Sequence, residues 1–478
     1  ELKVNMCTIT GKILKLNNWP DGRIIGLAKS IADELSLEGF ERDAILLKLD
    51  AVRSSPGSYL GQPIYADLAR ECIRLTQKDD ESLDELRQQP LPYPVWGREA
   101  IDDGAVQQMD NAMSLPVSAA GALMPDAHSG YGLPIGGVLA ADNAVIPYAV
   151  GVDIACRMRL SLYPVSPYLI GQKSGLFENA LWEQTSFGMG AKWTGRQKAS
   201  HPVLDDTDWN ATRLLRTLQD IAASQLGTSG TGNHFVEWGS FQLLEPVPGL
   251  KPGHYLALLS HSGSRAVGFK IADKYSKLAM ELHPKLDKTI RHLSWLSLDS
   301  EAGQEYWLSM ELAGRFAAAN HAVIHHRLAQ AIGIKEAAVI ENHHNFAWKQ
   351  QLADGRTVIV HRKGATPAVK DVLGIIPGSM GDAGYLVRGK GNAASLNSAS
   401  HGAGRQMSRK EALNSISKRS RDEYLAERGV TLLGGGMDEA PQAYKPIEMV
   451  IAAQRELVDI SGKFTPRMVR MADEAGEN

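Results

Sequence analysis

From residue 124 onward, short apolar runs alternate with glycine-rich loops and with longer helical segments. Apolar runs bounded by glycine are typical of strands, and longer amphipathic stretches are typical of helices. Strands are predicted at residues 135–140, 144–150, 255–259, 357–360 and 384–387, and helices at 208–226, 265–282, 300–332 and 440–457. This mixture predicts a fold that contains helices and strands together.

The first 95 residues follow a different pattern. Between residues 25 and 90, apolar residues recur at partial helical spacing between polar breaks, at Ile31, Leu35, Leu37, Ile45, Leu46, Leu47 and Leu49. The segment QQPLPYPVW at residues 88–96 is rich in proline and is predicted to be extended. We therefore expect a domain boundary there, between an N-terminal part (1–95) and a larger domain (96–478) on which that part packs.

Composition and charge exclude several classes of protein. With 44% hydrophobic and 22% charged residues, the 478-residue chain is of globular type. Cys7, Cys72 and Cys156 form no CxxC pair, so we expect a reducing compartment rather than a disulfide scaffold. Without a signal peptide or a run of ~20 apolar residues, a cytoplasmic protein is expected. The net charge of −3 does not suit indiscriminate binding to nucleic acid, so any such contact needs locally focused positive charge.

Histidines in loops rich in glycine, serine and asparagine are the first chemical signal. Of the 14 histidines, five lie in such loops, namely His128, His234, His261, His344 and His401. Asp153 and Cys156 are three residues apart, so one turn can direct both at the same point. A lone histidine is more often a packed or surface residue, but this set favours a metal site. Imidazole, thiolate and carboxylate together suit zinc, manganese, iron or cobalt and do not choose among them.

Loops and arginines suited to binding phosphate are the second chemical signal. Small-residue loops that offer backbone N–H groups occur at residues 227–233, 378–381, 389–392 and 402–405. Each loop alone is weak evidence, because glycine loops are more often plain turns, and none is a P-loop or a Rossmann fingerprint. Arg265 and Arg405 each follow a Gly/Ser loop that contains a histidine, where a guanidinium can grip phosphate by bidentate hydrogen bonds.

Some apparent motifs are discounted. His321 and His325 are four residues apart, but Ala322 stands where an HExxH motif needs glutamate, so both are interpreted as core or surface residues of an ordinary helix. Ser262, Ser264 and Ser379 lie in no GxSxG elbow, which argues against a serine hydrolase.

Nine segments, in order along the chain, resemble one protein family. They are MPDAHSGYGLPIGGVLA (124–140), GVDIAC (151–156), GTSGTGNHFVEWG (227–239), HSGSR (261–265), HHNF (343–346), RKGATPA (362–368), IPGSMGDAGYLVRGKGN (376–392), SHGAGRQMSR (400–409) and DEAPQAYK (438–445). They resemble the RtcB family of RNA ligases, which join 3′-phosphate or 2′,3′-cyclic-phosphate ends to 5′-hydroxyl ends. The likeness runs from about residue 95 to the C-terminus.

The resemblance implies an α+β fold, a single large domain with mixed β-sheets flanked by helices around a central metal cleft, acting as a monomer. It implies two Mn²⁺ ions and GTP as co-substrate. The family's metal ligands fall on Asp153, Cys156 and His234 for one ion, and on His261 and His344 for the other, with Cys156 bridging. The nucleophile that receives GMP falls on His401. Guanylate contacts fall on Asn233, Glu237, Ser379, Gly402, Ala403, Gly404 and Tyr444.

Two positions depart from the family pattern. Relatives usually have glycine after the metal-binding cysteine, where this chain has Arg157, and a penultimate lysine that touches guanine, where this chain has Met471. An RNA ligase in RNA repair or tRNA splicing is the favoured interpretation. The alternatives are a nucleotidyltransferase that caps RNA or DNA 3′-phosphates without sealing, a catalytically silent nucleic-acid-binding relative, and a phosphatase that uses the same metals.

Overall fold

The chain forms two compact units in a computed structural model that describes residues 9–20, 23–79 and 85–473. The first unit comprises Glu1–Glu85 with Asp299–Glu301, and the second comprises Leu86–Leu298 with Ala302–Asn478. Cys7 and the acidic tail at residues 474–478 lie outside the described residues. The packing of residues 1–95 on a larger domain remains a prediction.

The first unit is helical. Its α-helices are Gly11–Leu16 (α1), Arg23–Leu37 (α2), Arg42–Ser54 (α3) and Ala66–Asp79 (α4), with a 3₁₀ turn at Pro56–Tyr59. The helical spacing predicted here is confirmed, because Ile31 and Leu35 on α2 and Ile45 on α3 are buried in one core. Leu37 and Leu47 do not join that core, being 78% and 72% exposed.

The second unit combines helices with several sheets. Its helices are Asp103–Met113 (α5), Pro147–Val150 (α6), Leu169–Gln172 (α7), Ser174–Gln184 (α8), Arg213–Gln225 (α9), Arg265–Leu282 (α10), Glu301–Ile332 (α11, which starts in the first unit), Arg409–Ser415 (α12), Lys418–Glu427 (α13) and Ile447–Ala453 (α14). Its strands are Ser118–His128 (β1), Ile135–Ala141 (β2), Ala144–Val145 (β3), Arg157–Tyr163 (β4), Phe235–Leu243 (β5), Gly253–Ser262 (β6), Leu296–Ser297 (β7), Ala338–His343 (β8), Asn345–Gln351 (β9), Thr357–Lys363 (β10), Ala365–Pro367 (β11), Leu373–Ile376 (β12), Gly384–Gly389 (β13), Ser398–Ser400 (β14), Thr431–Leu433 (β15) and Val458–Met471 (β16). The α+β class is therefore confirmed.

One large sheet dominates this unit. Its strand order is β12-β13-β16-β5-β6-β4-β8, with β15 beside β16, and all its pairs are antiparallel except β15 with β16. A four-stranded antiparallel sheet has the order β1-β2-β10-β9, and β11 with β14 and β3 with β7 form short pairs. The starts of β4 and β5 and the ends of β6 and β8 lie at the same edge of the large sheet, because these neighbours run antiparallel.

Helix α11 packs against both sheets. Phe316 in its first half shares a core with Phe346 of β9, and Ile324 in its second half packs with Trp238 of β5. The opposite face of the large sheet packs against Met380 and other apolar residues of its flanking loops and helices. Among the described helices, none combines the length and the apolar character needed to cross a membrane.

Two predicted elements have wrong bounds, and in both cases a proline sets the observed bound. The strand predicted over residues 144–150 ends at Val145, and α6 follows with Pro147 at its first turn, where a missing N–H is tolerated. The helix predicted over residues 440–457 is reduced to α14 and a 3₁₀ turn at Pro441–Ala443, because Pro446 cannot donate a helical hydrogen bond.

Candidate metal centre and adjoining cleft

Side chains of metal-ligating type meet at the shared edge of β5, β6, β4 and β8. Cys156 directly precedes β4 and His234 directly precedes β5, whereas His261 is the penultimate residue of β6 and His344 directly follows β8. Antiparallel pairing brings these ends together, although they are up to 188 residues apart in the chain (344 − 156). Residues remote in sequence are thereby held by one hydrogen-bonded ladder.

The turn before β4 adds a carboxylate to this edge. The backbone N–H of Cys156 donates to the carbonyl of Asp153 at 3.1 Å, and Ala155 between them adopts a left-handed conformation with φ of 58°. A non-glycine residue in this region is strained and persists only where its surroundings fix it. Here the Ala155 N–H donates to the Asn345 carbonyl at 2.7 Å, which fixes the turn and brings the Asp153 carboxylate to the site.

The ligand atoms form two groups that could each hold a metal ion, one of Asp153, Cys156 and His234 and one of Cys156, His261 and His344. The Cys156 Sγ lies 3.5 Å from His234 Nε2 and 3.0 Å from His261 Nε2. Asp153 Oδ2 lies 3.0 Å from His234 Nε2, and the Nε2 atoms of His261 and His344 are 3.2 Å apart. Since Cys156 belongs to both groups, its thiolate can bridge two cations.

Backbone carbonyls set the tautomers of two of these rings. The Nδ1–H of His234 donates to the Ser229 carbonyl at 2.7 Å, and that of His261 donates to the Asn233 carbonyl at 3.0 Å. A carbonyl can only accept, so the proton is on Nδ1 and the Nε2 lone pair faces the other ligands. This is the arrangement that metal-binding histidines require of their outer partners.

Burial keeps two of the imidazoles, those of His261 and His344, neutral. It lowers the pKa of His261 to about 3 and that of His344 well below its ordinary value. The pKa of the Cys156 thiol is raised well above its usual range by burial and by the neighbouring Asp153 carboxylate. A cation must therefore displace the thiol proton when it binds. This donor set of neutral imidazoles, a thiolate and a carboxylate fits a divalent transition metal.

His401 lies beside these groups and is oriented by a buried carboxylate. Its ring centroid is 4.9 Å from that of His344, and its Nδ1 lies 2.7 Å from Asp126 Oδ2. The same Asp126 oxygen accepts the backbone N–H groups of His401 and Gly402, at 3.0 and 3.3 Å. Burial opposes ionisation of Asp126, but its hydrogen bond to the His401 ring lowers its pKa overall. The carboxylate thus holds the His401 proton on Nδ1 and leaves Nε2 available for chemistry.

The loop after His401 approaches Asp126 closely. Gly404 has a φ of 70°, and a side chain there would collide with the Asp126 backbone oxygen. Asp126 lies in a segment that carries the family resemblance and His128, but its carboxylate was not among the predicted site residues. Its position two residues before a loop histidine was the available signal. His128 lines the cleft but belongs to neither of the two metal-type groups found in the described residues.

A cleft of about 700 Å³ opens over this site. Of the residues predicted by sequence, it is lined by Asp153, Cys156, Asn233, His261, His344, Ser379, His401, Gly402, Ala403, Gly404, Arg405 and Tyr444. His234, Glu237 and Arg265 are absent from its lining. The structure therefore brings most of the predicted site residues to one cavity and leaves these three out of its lining.

Glu237 is buried close to the cleft on β5. It lies two residues beyond Phe235, which lines the cleft, and pairs across the sheet with Val469 of β16. Burial alone raises the pKa of its carboxyl well above the ordinary value. Within residues 9–20, 23–79 and 85–473, we find no hydrogen-bond donor to this carboxyl. A buried acceptor without a donor is costly, so Glu237 has capacity for a ligand.

The two predicted phosphate-binding arginines are already engaged by protein groups. Arg265 donates to the Thr228 hydroxyl at 3.1 Å and to the Gly188 carbonyl at 3.0 Å. Arg405 donates to the Met407 carbonyl at 3.0 Å and to a carboxylate oxygen of Glu439 at 3.2 Å. These bonds hold the loops around the cleft, and a role in gripping phosphate stays a prediction for both.

The two departures from the family pattern have different surroundings. Arg157 donates to Glu341 at 2.7 Å and to the Gly314 carbonyl at 3.4 Å and is absent from the cleft lining. Met471 lines the cleft, opposite Phe235 in the β16–β5 register. An apolar side chain therefore lines the cleft at the position where the sequence resemblance leads us to expect a lysine.

His321 and His325, discounted as metal ligands, are core residues with a defined hydrogen-bond chain. His321 Nε2 lies 3.1 Å from the Ser262 carbonyl, so it must donate, and its Nδ1 accepts from the Ser260 hydroxyl at 2.7 Å. Ser260 then accepts from His325 Nε2 at 2.8 Å, and His325 Nδ1 accepts from the Ser161 hydroxyl at 2.7 Å. The chain ties α11 to β6 and β4 around His261.

The chain is similar to known proteins of one family. The sequence model of the family described as "tRNA-splicing ligase RtcB" matches residues 108–471. The chain is 31% identical to an RNA-splicing ligase RtcB of Escherichia coli K12, over 77% of this chain and 94% of the relative. It is also 31% identical to a tRNA-splicing ligase RtcB of Nanoarchaeum equitans, over 76% of this chain and 91% of the relative. A third relative, of Thermococcus kodakarensis, is 30% identical, with 76% and 91% covered.

The chain belongs to the RtcB family. This membership classes it as a ligase enzyme, and the resemblance inferred from nine sequence segments is confirmed.

Proposed function

We propose that this protein is an RNA ligase that joins a 3′-phosphate or 2′,3′-cyclic-phosphate end to a 5′-hydroxyl end, using GTP through a covalent His401–GMP intermediate. RNA repair or tRNA splicing is the corresponding role, as the relatives' names suggest. The observation that carries the proposal is the placement of the His401 imidazole, held by Asp126, in one cleft with ligands for two cations.

Two Mn²⁺ ions fit the donor set. Asp153, Cys156 and His234 would hold one, and Cys156, His261 and His344 the other. When bound, the ions neutralise phosphate charge and polarise the phosphorus under attack. The protein supplies the neutral Nε2 atoms and the thiolate at fixed positions, because the sheet edge and the carbonyl partners of His234 and His261 orient them.

In the first step His401 is the nucleophile. Its Nε2 lone pair attacks the α-phosphorus of GTP, the new N–P bond forms, and the bond to pyrophosphate breaks, with the electron pair leaving on pyrophosphate. The ring keeps its Nδ1 proton and becomes positively charged. The Asp126 carboxylate, 2.7 Å from Nδ1, stabilises that charge.

The later steps transfer GMP and then release it. An oxygen of the RNA 3′-phosphate attacks the phosphorus bound to His401, and the N–P bond breaks with its electron pair returning to Nε2. The 5′-hydroxyl oxygen of the second end then attacks the activated 3′-phosphorus and loses its proton, and GMP departs. A cyclic phosphate must first be hydrolysed to the 3′-phosphate.

Guanylate would occupy the wall of the cleft formed by Ser379, Gly402, Ala403, Gly404 and Tyr444. Backbone N–H groups of the glycine loop suit phosphate oxygens. Asn233 lines the cleft as well, and the unpaired carboxyl of Glu237 is the acceptor that guanine N–H groups require. Selection of GTP over ATP would follow, because adenine presents no N–H at the corresponding ring nitrogen.

Incubation with α-labelled GTP and Mn²⁺ tests the proposal. We expect acid-labile label on the protein, and none on His401→Ala. Addition of RNA fragments that carry a 3′-phosphate and a 5′-hydroxyl should give a sealed product. Label without sealing would instead identify a capping nucleotidyltransferase, and no label would exclude both reactions.

A further inference from the structure

A loop at the rim of the cleft presents an exposed aromatic ring. Tyr131 lines the same cleft as His401 and is 71% exposed. Its ring packs edge-on against His292, with centroids 6.0 Å apart, and His292 packs in turn against Tyr148 at 4.5 Å. Two further rings therefore support the Tyr131 ring, and much of its surface faces the solvent of the cleft.

The backbone of this loop is anchored at consecutive residues. The Asp102 carboxylate accepts the Ser129 N–H at 3.1 Å and the Ser129 hydroxyl at 2.5 Å. The Gln108 amide accepts the Gly130 N–H at 2.9 Å and donates to the Gly130 carbonyl at 2.5 Å. The buried ammonium of Lys363 donates to the carbonyl of Tyr131 itself. The exposure of the ring is therefore not the result of a loose loop.

Close packing fixes the next residue as well. Gly132 has a φ of 72°, and a Cβ added there would lie 3.1 Å from the His292 carbonyl oxygen. Only glycine allows this close approach without strain. An aromatic surface held rigidly before a ligand arrives loses little entropy on binding.

We propose that Tyr131 is a stacking surface for the nucleobase next to the broken RNA end. This inference rests on the proposed function. A phosphate that reacts at His401 must lie in the cleft, so its nucleoside lies near the rim. Aromatic rings bind any base by its π-face, which suits an enzyme that joins ends of differing sequence. The guanylate wall lies on other loops, so the ring stays available to the RNA.

The test is binding of a short fluorescent RNA with a 3′-phosphate, followed by anisotropy without nucleotide. We expect Tyr131→Ala to weaken binding about 5- to 100-fold and Tyr131→Trp to retain it. Tyr168→Ala is the matched control, because Tyr168 is 81% exposed and absent from the cleft lining. It should bind as the unaltered protein does.

A second RNA with an abasic terminal nucleotide isolates the stacking contribution. If a base stacks on Tyr131, the abasic RNA should bind the unaltered protein and Tyr131→Ala equally. An RNA with a 5′-hydroxyl and a blocked 3′ end shows which strand uses the ring. The proposal would be overturned if Tyr131→Ala bound the intact RNAs as tightly as the unaltered protein does. It would also be overturned if Tyr131→Ala lost as much affinity for the abasic RNA as for the intact RNA.

Guanylylation of the unaltered protein is measured separately, without RNA. Its absence would remove the proposed function while the RNA-binding result stands by itself. Thermal unfolding of Tyr131→Ala, compared with Tyr168→Ala, shows that both variants are folded when binding is measured.

Discussion

The floor of the cleft is built from the ends of four paired strands, whereas the wall beside His401 is built from loops. On the floor, carbonyl groups fix the ring nitrogens of His234 and His261, and burial keeps His261 neutral. In the wall, ion pairs connect the loops, with Arg405 bound to Glu439 and Arg409 bound to both Asp438 and Glu439.

The difference follows from what each part must do. Ligands that share cations tolerate little movement, and a strand ladder holds backbone positions firmly. Under the proposed function, a wall that admits a nucleotide and releases pyrophosphate needs contacts that can be exchanged. The half-exposed Arg409 side chain can be exchanged at lower cost than the nearly buried Arg405–Glu439 pair. Asp126 connects the two parts, because it lies on β1 and binds the loop that carries His401.

Removal of the bridging thiol should have the largest effect, because Cys156 belongs to both metal-type groups. We expect Cys156→Ala to lower ligation about 1,000-fold or more, since cation catalysis contributes several kcal/mol. Equilibrium dialysis against Co²⁺, which counts bound ions without relying on a thiolate, checks the loss of both ions. Cys72→Ala, altered in the core of the first unit, is the control. Two ions bound by Cys156→Ala would contradict the bridge.

Loss of charge at Asp126 should have the next largest effect. In Asp126→Asn the amide oxygen can still accept the backbone N–H groups of His401 and Gly402, but the negative charge that stabilises the ring is lost. We expect guanylylation about 100-fold slower with Co²⁺ binding unchanged. Asp142→Asn, altered at an exposed ion pair with Arg356, serves as control. A parallel loss of metal binding would show that floor and wall are not positioned separately.

Acid should destabilise the fold through buried histidines such as His361, which lies on β10. His361 accepts the Ile146 N–H and donates to the Leu139 carbonyl, and burial lowers its pKa to about 4. Between pH 6.5 and 4 the unfolded chain therefore binds a proton that the folded chain does not, so stability falls as pH falls. Each such histidine contributes about 1.4 kcal/mol per pH unit.

Urea unfolding at pH 7.5 and at pH 5 measures this dependence. His361→Gln keeps a donor and an acceptor but cannot titrate. Its free energy of unfolding should therefore fall less steeply with falling pH than that of the unaltered protein, by the contribution of one proton. An identical slope for both proteins would show that His361 does not contribute.

The smallest effect is expected in the wall. The side chain of Arg409 is 50% exposed, and Arg405 still pairs with Glu439 when Arg409 is removed. We expect Arg409→Gln to change the free energy of unfolding by less than about 1 kcal/mol. The affinity for GTP should fall several-fold, and added salt should narrow the difference. Urea unfolding measures the change in stability, and nucleotide titration measures the affinity for GTP. A large loss of stability would show that the wall is as rigid as the floor.

The side chains that meet on the floor stand out in the sequence by their types and glycine-rich settings, but in one set with His128 and His401. The choice of five ligands among them came from the family resemblance. Sequence alone did not identify Asp126, whose role depends on pairing with a residue 275 positions away (401 − 126). Nor did it show that Arg405 is held by Glu439, since such contacts exist only after folding. The prediction of strands and helices failed at Pro147 and Pro446. There the missing N–H of proline ends or begins an element that the apolar pattern alone would continue.

The position of β16 has a consequence for how the protein is made. This strand, Val458–Met471, lies inside the large sheet between β13 and β5. During synthesis, the edges of β5 and β13 therefore stay unpaired until the ribosome has released residue 471. Open strand edges attract other chains. The nascent enzyme is thus exposed to aggregation until β16 has been translated, and a ribosome stalled before residue 458 would yield a product that cannot close its sheet.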